Sequence, residues 1–354
     1  MGEWRKCDLG KILVFGNGKV RPNTEGAVPV YGGNGILGYC DNNNYSDETI
    51  IIGRVGAYCG SVYYENRPVW VSDNALSAKP KSNNYAKFLF YFLKNLSLNQ
   101  FAEGSSHPLV TQTLLNSIEV QVPYSFPEQK AIASVLSSLD DKIDLLHSQN
   151  KTLEAMAETL FRQWFVPARA GQPHAGGEEA QEDWEEGKIE DLFLLQRGFD
   201  LPIQKRVDGL YPIFAASGHC GTHNESKVKA PGVTTGRSGL LGKVFFIMED
   251  FWPLNTSLFI KEYRIGTPLF SYFLLQTIDL EGFNAGSAVP TLNRNHVHKH
   301  NILIPPRALI EKFENLINPS FKKIEFNKTQ IRILEKLRDT LLPKLMSGEV
   351  RIEM

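Results

Sequence analysis

No stretch of this sequence approaches the roughly 18 consecutive apolar residues that cross a bilayer, so no membrane-spanning helix is expected. The start, Met1-Gly-Glu-Trp-Arg-Lys, leads into no signal-type apolar segment, which points to the cytoplasm. Cysteine is scarce and scattered. Cys7, Cys40, Cys59 and Cys220 form no C-x-x-C pair, so neither a disulfide framework nor a zinc knuckle is expected. Also missing are a G-x-x-x-x-G-K-[ST] phosphate loop, an H-E-x-x-H helix, a G-x-S-x-G elbow, and any Asn-Pro-Pro-Tyr-like or Asp-Pro-Pro-Tyr-like methylase motif. These absences argue against catalysis in this chain and against metal in it.

A net excess of charge is lacking too. The formal charge is −1, whereas affinity for phosphate usually leaves a basic balance. Its distribution matters more than its sum. Between Gly171 and Asp191 eight acids face only Lys188, a local −7 that leaves +6 on the rest. That balance permits a nucleic-acid surface without requiring one. The Gly and Glu content of this stretch predicts a flexible connector.

What is present, in 354 residues of ordinary globular composition, is a repeat. Trp4 meets Trp184, Gly53-Arg-Val-Gly56 meets Gly236-Arg-Ser-Gly239, and Trp70 meets Trp252, all at shifts near 180. Gly104-Ser-Ser-His-Pro108 then meets Gly286-Ser-Ala-Val-Pro290, and Asn150-Lys-Thr152 meets Asn327-Lys-Thr329. The period is far too long for a solenoid, so this is a duplicated domain. Each half opens with short strands, such as Thr49 to Gly53 and Gly60 to Tyr64. Helices over Ala86–Leu96 and Pro268–Leu280, and closing strands over Ile118–Val122 and Asn301–Ile304, complete a mixed module. Long-helix spacing follows each. From Ile132 to Trp164 apolar residues recur in steps of four and three with Asn150 the one polar member; from Ile310 to Leu345 the rhythm is interrupted at Ser320, Asn327 and Arg338. Asn318-Pro319 reads as a cap and first turn at which a second helix begins, and Pro343 and Gly348 as its far end. If the helices pair antiparallel, Asn150 and Asn327 meet at similar depth and fix register; otherwise both face solvent.

Gly33-Asn-Gly-Ile-Leu-Gly38 has the letters of a dinucleotide fingerprint, but Tyr39-Cys-Asp-Asn-Asn-Asn-Tyr45 cannot open the helix that fingerprint needs, so a surface loop is expected. His296, His298 and His300 alternate as if on one side of a strand, without an accompanying ligand set. The two Gly-Arg-x-Gly turns hold Arg54 and Arg237 outward as guanine or phosphate readers, or as structural partners of a carboxylate. Polar loops flank them: Asn34, Asn43, Asn44 and Tyr45 in the first half, His219, Asn224, Lys227 and Lys229 in the second. After the Gly-Ser elements come His107 and Gln112, and Asn293 and Arg294. Side chains of these types suit base edges and phosphates, and also plain solvated surface. If the scaffold binds DNA, their divergence between halves suggests two modules reading different half-sites; drift in unimportant loops is the equal alternative.

These segments resemble the specificity (S) subunits of Type I restriction-modification systems along essentially the whole chain. The resemblance rests on Tyr31-Gly-Gly-Asn-Gly-Ile-Leu-Gly38, Gly53-Arg-Val-Gly56, Pro127-Glu-Gln-Lys-Ala-Ile-Ala133, Leu139-Asp-Asp-Lys-Ile143, Leu160-Phe-Arg-Gln-Trp-Phe165 and Leu341-Leu-Pro-Lys-Leu-Met-Ser-Gly-Glu-Val-Arg-Ile352. It implies an α+β chain of two tandem mixed α/β target-recognition domains, each followed by a long helix, the helices pairing as an antiparallel coiled coil that sets a spacer. The segments are 1–126 and 183–306 for the domains, 127–168 and 307–354 for the helical regions, and 169–182 for an acidic linker. It further implies double-stranded DNA, two modification (M) subunits and restriction (R) subunits as partners, with S-adenosylmethionine, ATP and Mg held by those partners and no cofactor in this chain. Pro306-Arg307-Ala308-Leu309 departs from Pro127-Glu128-Gln129 in the first half. A stand-alone DNA-modifying enzyme and a coiled-coil scaffold binding protein are the competing readings.

Overall fold

The computed structural model describes residues 3–81, 83–104, 108–166, 183–286 and 288–352. It divides into two units, Met1–Leu145 with Gln330–Met354, and Leu146–Thr329. The first half of the chain runs β1 (Trp4–Asp8), α1 (Leu9–Ile12), β2 (Leu13–Asn17), β3 (Val28–Gly32), β4 (Gly35–Cys40), β5 (Thr49–Gly53), β6 (Val62–Glu65), β7 (Trp70–Val71), β8 (Ala75–Pro80), α2 (Ala86–Asn95), α3 (Gln112–Ser117), β9 (Glu119–Pro123) and the long α4 (Phe126–Phe165). The same order returns as β10 (Glu185–Lys188), α5 (Ile189–Leu192), β11 (Phe193–Arg197), β12 (Tyr211–Ala215), β13 (Gly218–His223), β14 (Gly232–Gly236), β15 (Val244–Ile247), β16 (Trp252–Pro253), β17 (Ser257–Tyr263), α6 (Pro268–Thr277), α7 (Arg294–His298), β18 (Asn301–Ile304) and the long α8 (Arg307–Ser347). Each unit holds one module and a stretch of both long helices.

Topology repeats with the order. In the first unit β2-β8-β5-β6 form one sheet, β4-β3-β7 a second, and β1 closes on β9; the second unit has β11-β17-β14-β15, β13-β12-β16 and β10 on β18. All five residues of β5 and of β14 are buried, the pattern of strands covered on both faces. Trp70 and Trp252 repeat because each indole donates to the loop after the first sheet strand, at Lys19 O (3.2 Å) and Phe199 O (3.5 Å). Gly18 and Gly198 are required there. A Cβ on either would fall 1.7 Å from Ser72 O or 2.2 Å from Leu254 O.

The modules seat on the long helices through two chemistries. In the first unit Tyr91 Oη donates to Asp140, which also accepts from Arg338 Nη1 at 2.9 Å. Burial, foremost, and the Asp140 carboxylate push the Tyr91 phenol well above its ordinary range. The second unit has a ring cluster instead, with Phe161 against Phe270, Phe273 and Phe313 and Phe165 edge-on to Phe270 and Phe313. Here α4 and α8 run antiparallel: Asn327 Nδ2 donates to Asn150 Oδ1 at 2.8 Å, and Phe161 lies against Phe313. Asn327 is fully buried, and its amide oxygen finds no partner among the described residues.

The departure at Pro306-Arg307-Ala308 has a physical consequence. Gln129 accepts from Tyr85 N at 2.7 Å, tying the start of α2 to α4, and its amide nitrogen donates to Pro123 O. Ala308 cannot do this. Glu314, further along α8, accepts from Thr267 Oγ1, Leu269 N and Phe270 N and so caps α6. Glu128 accepts from the Trp4 indole at 3.2 Å, whereas Arg307 stands in the matching place and the buried Nε1 of the half-buried Trp184 lacks an acceptor among the described residues.

Several expectations are corrected. The helix does not restart at Asn318-Pro319: α8 is unbroken, because Phe313, Ile317, Phe321 and Ile324 around the proline are all buried. Each such burial stabilises by about 1.5–3 kcal/mol, enough together to offset the ~3 kcal/mol cost of an interior proline. Pro343 is likewise passed, with Leu345 and Met346 buried beyond it, and the helix stops at Gly348 with φ +76°. The three histidines leave the strand: His296 and His298 lie on α7, and His300 follows it. Gly35 to Gly38 belong to β4 rather than to a loop, and the strand expected over Gly60–Tyr64 occupies Val62–Glu65. Of the acidic stretch, Glu185–Lys188 pairs with β18 and Asp191 accepts from Lys188 N at 2.8 Å, so that part is ordered; residues 169–182 lie outside the described ones.

Burial, the largest influence, raises the Glu314 carboxyl above its ordinary value, against the opposing pull of its three hydrogen bonds. A raised carboxyl contributes stability that is complete below the unfolded value and lost as pH climbs through the folded one. Glu314→Ala should cost about 1–3 kcal/mol by leaving the α6 amides unpaired. Glu314→Gln, which keeps an acceptor, should restore most of this and flatten the pH slope, as read by denaturant unfolding between pH 4 and 8.

Candidate nucleic-acid interface

Three segments meet at one edge of each module. The first is the Gly-Arg-x-Gly turn, which leaves the buried β5 or β14 and is bonded on both flanks. Arg54 N donates to Asn74 O (3.0 Å) and Arg237 N to Thr256 O (2.8 Å). The second is the chain after each Gly-Ser element: Val110 N donates to Arg54 O, Gly56 N to Pro108 O, Leu292 N to Arg237 O and Gly239 N to Pro290 O. Gly56 and Gly239 have φ of +77° and +90°, which a side chain would strain. The third is the tip of the β3–β4 hairpin. A Cβ on Gly33 would touch Asn74 O and Gly53 Cα within 3.7 Å, so Asn34 stands exposed beside the Arg54 turn. In the second module Ala216 N, at the matching tip, donates to Thr256 Oγ1 (3.4 Å).

Arg54 and Arg237 are both half-buried. Among the described residues neither meets a carboxylate: Arg237 Nη1 donates to Asn255 O at 3.1 Å, and the Arg54 Nε is buried without a partner. Gln112 follows Thr111, whose hydroxyl accepts from Leu114 N to cap α3. The Gln112 amide is held on the end of β2, donating to Phe15 O and accepting from Asn17 N, both at 3.2 Å, with the Asn17 side chain 2.8 Å away. Arg294 follows Asn293, which caps α7 through Asn295 N (3.0 Å), and both are exposed. His107 lies outside the described residues.

Other expected residues are engaged with the framework. Asn44 exchanges two hydrogen bonds with the Val71 backbone, at 2.9 and 2.8 Å, and Tyr45 accepts from Ser77 Oγ at 2.6 Å. Lys227 lies 4.7 Å from the centre of the Trp252 ring. Lys229 pairs with Asp250 at 2.6 Å, and that bond raises its ammonium above the ordinary value. Asn43, His219 and Asn224 are exposed, His219 edge-on to Phe214. Sequence reasoning missed Asn17 and its counterpart Arg197. Carrying the 180-residue shift to the last residue of each first sheet strand would have found both.

Chemically, the edge offers amides and guanidiniums and no reacting constellation. Among the described residues no group of three His, Cys, Asp or Glu side chains could hold a metal, and no helix is long and apolar enough to cross a membrane. His298 serves the fold: Leu195 N donates to its Nε2 at 2.8 Å, which requires the neutral ring.

A model of the Type I restriction modification DNA specificity domain matches residues 1–155 and again 181–336. The Type I restriction enzyme MjaIX specificity subunit of Methanocaldococcus jannaschii is 26% identical over 337 residues, covering 83% of this chain and 76% of that protein. The EcoprrI specificity subunit of Escherichia coli is 29% identical over 140 residues, 40% of this chain and 35% of that one. In fold, the crystal structure of the Type-I restriction-modification system S subunit from M. genitalium superposes with a TM-score of 0.74 at 20% identity, covering 100% of this chain and 97% of the other.

Burial, first among its causes, lowers the His298 imidazolium below the ordinary 6.5. Its contribution is therefore present above that value and lost as pH falls through the folded one. Thermal unfolding of the second unit should weaken from pH 7.5 to pH 5.5. His298→Asn, the residue found at the matching position 116, should remove that dependence; an unchanged slope would assign it elsewhere.

Proposed function

Because the chain belongs to the Type I restriction-modification DNA specificity family, we propose that its two units each read one half of a bipartite, asymmetric DNA sequence. The observation that carries this is the repeat of one backbone framework with different polar side chains at matching places on the same edge. Backbone bonds hold Arg54 and Arg237 in equivalent turns, while Asn17, Asn34 and Gln112 are matched by Arg197, Ser217 and Arg294. A shared scaffold presents both readers in one geometry, and divergent tips give them different preferences.

The catalytic work falls to partners. Two M subunits would bind S-adenosylmethionine and methylate, and R subunits would use ATP and Mg to cleave; the relatives are named specificity subunits. The antiparallel coiled coil is supported inside each unit by Asp140 with Arg338 and by Asn150 with Asn327. Such a protein works in the cytoplasm, on the chromosome.

The purified chain incubated alone with DNA and labelled S-adenosylmethionine should transfer no methyl groups; transfer without a partner would favour the enzyme reading. Reconstituted with its partners, Arg54→Ala should lower discrimination by about 1–3 kcal/mol at one half-site and Arg237→Ala at the other. Uniform weakening over all sequences in both variants would show that these arginines touch only phosphate.

A further inference from the structure

Each module mounts an arginine on the equivalent carbonyl, by a different route. The β3–β4 hairpin carries a bulge: Val30 pairs with Gly38 and Tyr31 with Ile36, which leaves Leu37 between them without a partner in the ladder. In the β12–β13 hairpin Pro212 pairs with Thr222 and Phe214 with His219, so Cys220 and Gly221 together face Ile213. The bulge frees a carbonyl in each, at Leu37 and at Cys220, which match at a shift of 183. Arg21 Nη1 donates to the first at 3.3 Å and Arg206 Nη1 to the second at 3.4 Å. At that shift Arg21 would meet Gln204, so the repeat did not carry one arginine into both halves. The loops that precede β3 and β12 have each delivered one to the same place.

A carbonyl needs only a neutral donor, so this bond does not account for the charge. Arg67, Arg197 and Arg264 each lie against a carboxylate. Arg21 and Arg206 meet none among the described residues; Arg206 Nε donates to a second carbonyl, Leu201 O, at 3.4 Å. Arg21 is exposed and Arg206 half-buried. The first strand also makes room for its guanidinium, because Gly38 follows Leu37 and a Cβ there would fall 2.5 Å from Arg21 Nη2. Position decides what such a cation can meet. Leu37 and Cys220 lie three residues behind Asn34 and Ser217, the exposed hairpin tips of the reading edges, which is about 10 Å at ~3.3 Å per residue. The major groove is about 8.5 Å deep. With the tips at base edges, the arginines stand at the level of the phosphates that rim it.

We propose that Arg21 and Arg206 each bind a backbone phosphate at the rim of the groove and so set the depth and register at which their own module meets the bases. This rests on the reading of the chain as a two-part DNA specificity subunit and adds to it the contacts that seat each reader. Phosphate contacts fix register and carry no sequence information, so the role differs from the base reading assigned to Arg54 and Arg237. Each such contact releases condensed counterions, and the salt dependence of binding counts it.

The test uses the full chain assembled with its modification partners, binding duplexes selected from a randomised pool, over a range of salt. Arg21→Gln and Arg206→Gln keep a donor for the bulge carbonyl and remove the charge. Each should make the slope of log affinity against log salt shallower by about 0.9, so that raising salt from about 50 to about 200 mM costs the variant about 3.5-fold less affinity than the wild type. The double variant should lose about twice that slope, and Arg21→Lys or Arg206→Lys should restore most of it. Base preference should stay the same at every position. A slope unchanged in the Gln variants would reduce the arginines to braces of the hairpin and overturn the proposal, as would an altered base preference at one half-site; in either case the specificity subunit stands. A wild-type complex without any sequence preference would overturn both. Circular dichroism of each variant separates a lost contact from lost folding.

Discussion

The amides at the start of α2 and α6 are partly buried against the long helices and take their acceptors from them. Everything else about how a module sits follows from that demand. In the first unit Gln129 meets it from the first turn of α4; in the second, Glu314 meets it further along α8. Two solutions to one constraint explain why the second half can lose the Pro-Glu-Gln motif and keep its architecture. They also leave different marks, since burying a carboxylate costs far more than burying a hydrogen-bonded carboxamide.

The same contrast runs through the packing around them. A hydrogen-bonded Tyr91, Asp140 and Arg338 occupy the first unit's junction, and a cluster of aromatic rings the second's. Losing one ring from such a cluster leaves a cavity, whereas losing one member of a polar trio leaves the others unsatisfied. The modules are thus alike in topology and unlike in what ties them down.

At the opposite extreme of constraint stand the reading edges. Backbone bonds specify the path of each Gly-Arg-x-Gly turn, so the side chains mounted on it are free to differ without disturbing the fold. Asn17 and Arg197, or Gln112 and Arg294, exchange amide for guanidinium on one scaffold. Duplication followed by change at such positions gives two readers from one design.

Much of this was legible from residue order alone. Repeated rare residues located the duplication: Trp70 and Trp252 recur because their indoles make the same bond, and Gly-Arg-x-Gly recurs because its backbone path is the same. Helical spacing located both long helices, since apolar periodicity is a local property. The family, too, was readable from contiguous motifs. What only the tertiary structure decided depends on distant partners. Pro319 and Pro343 are carried through α8 by burial against other elements, which local propensity cannot register. Asn44 and Tyr45 look like readers in a polar loop until Val71 and Ser77 are brought to them by the fold. Asn17 and Gln112, separated by 95 positions, become one pair only when β2 and α3 meet. Sequence determined which scaffold is used twice; three-dimensional packing decided which side chains it leaves free to read.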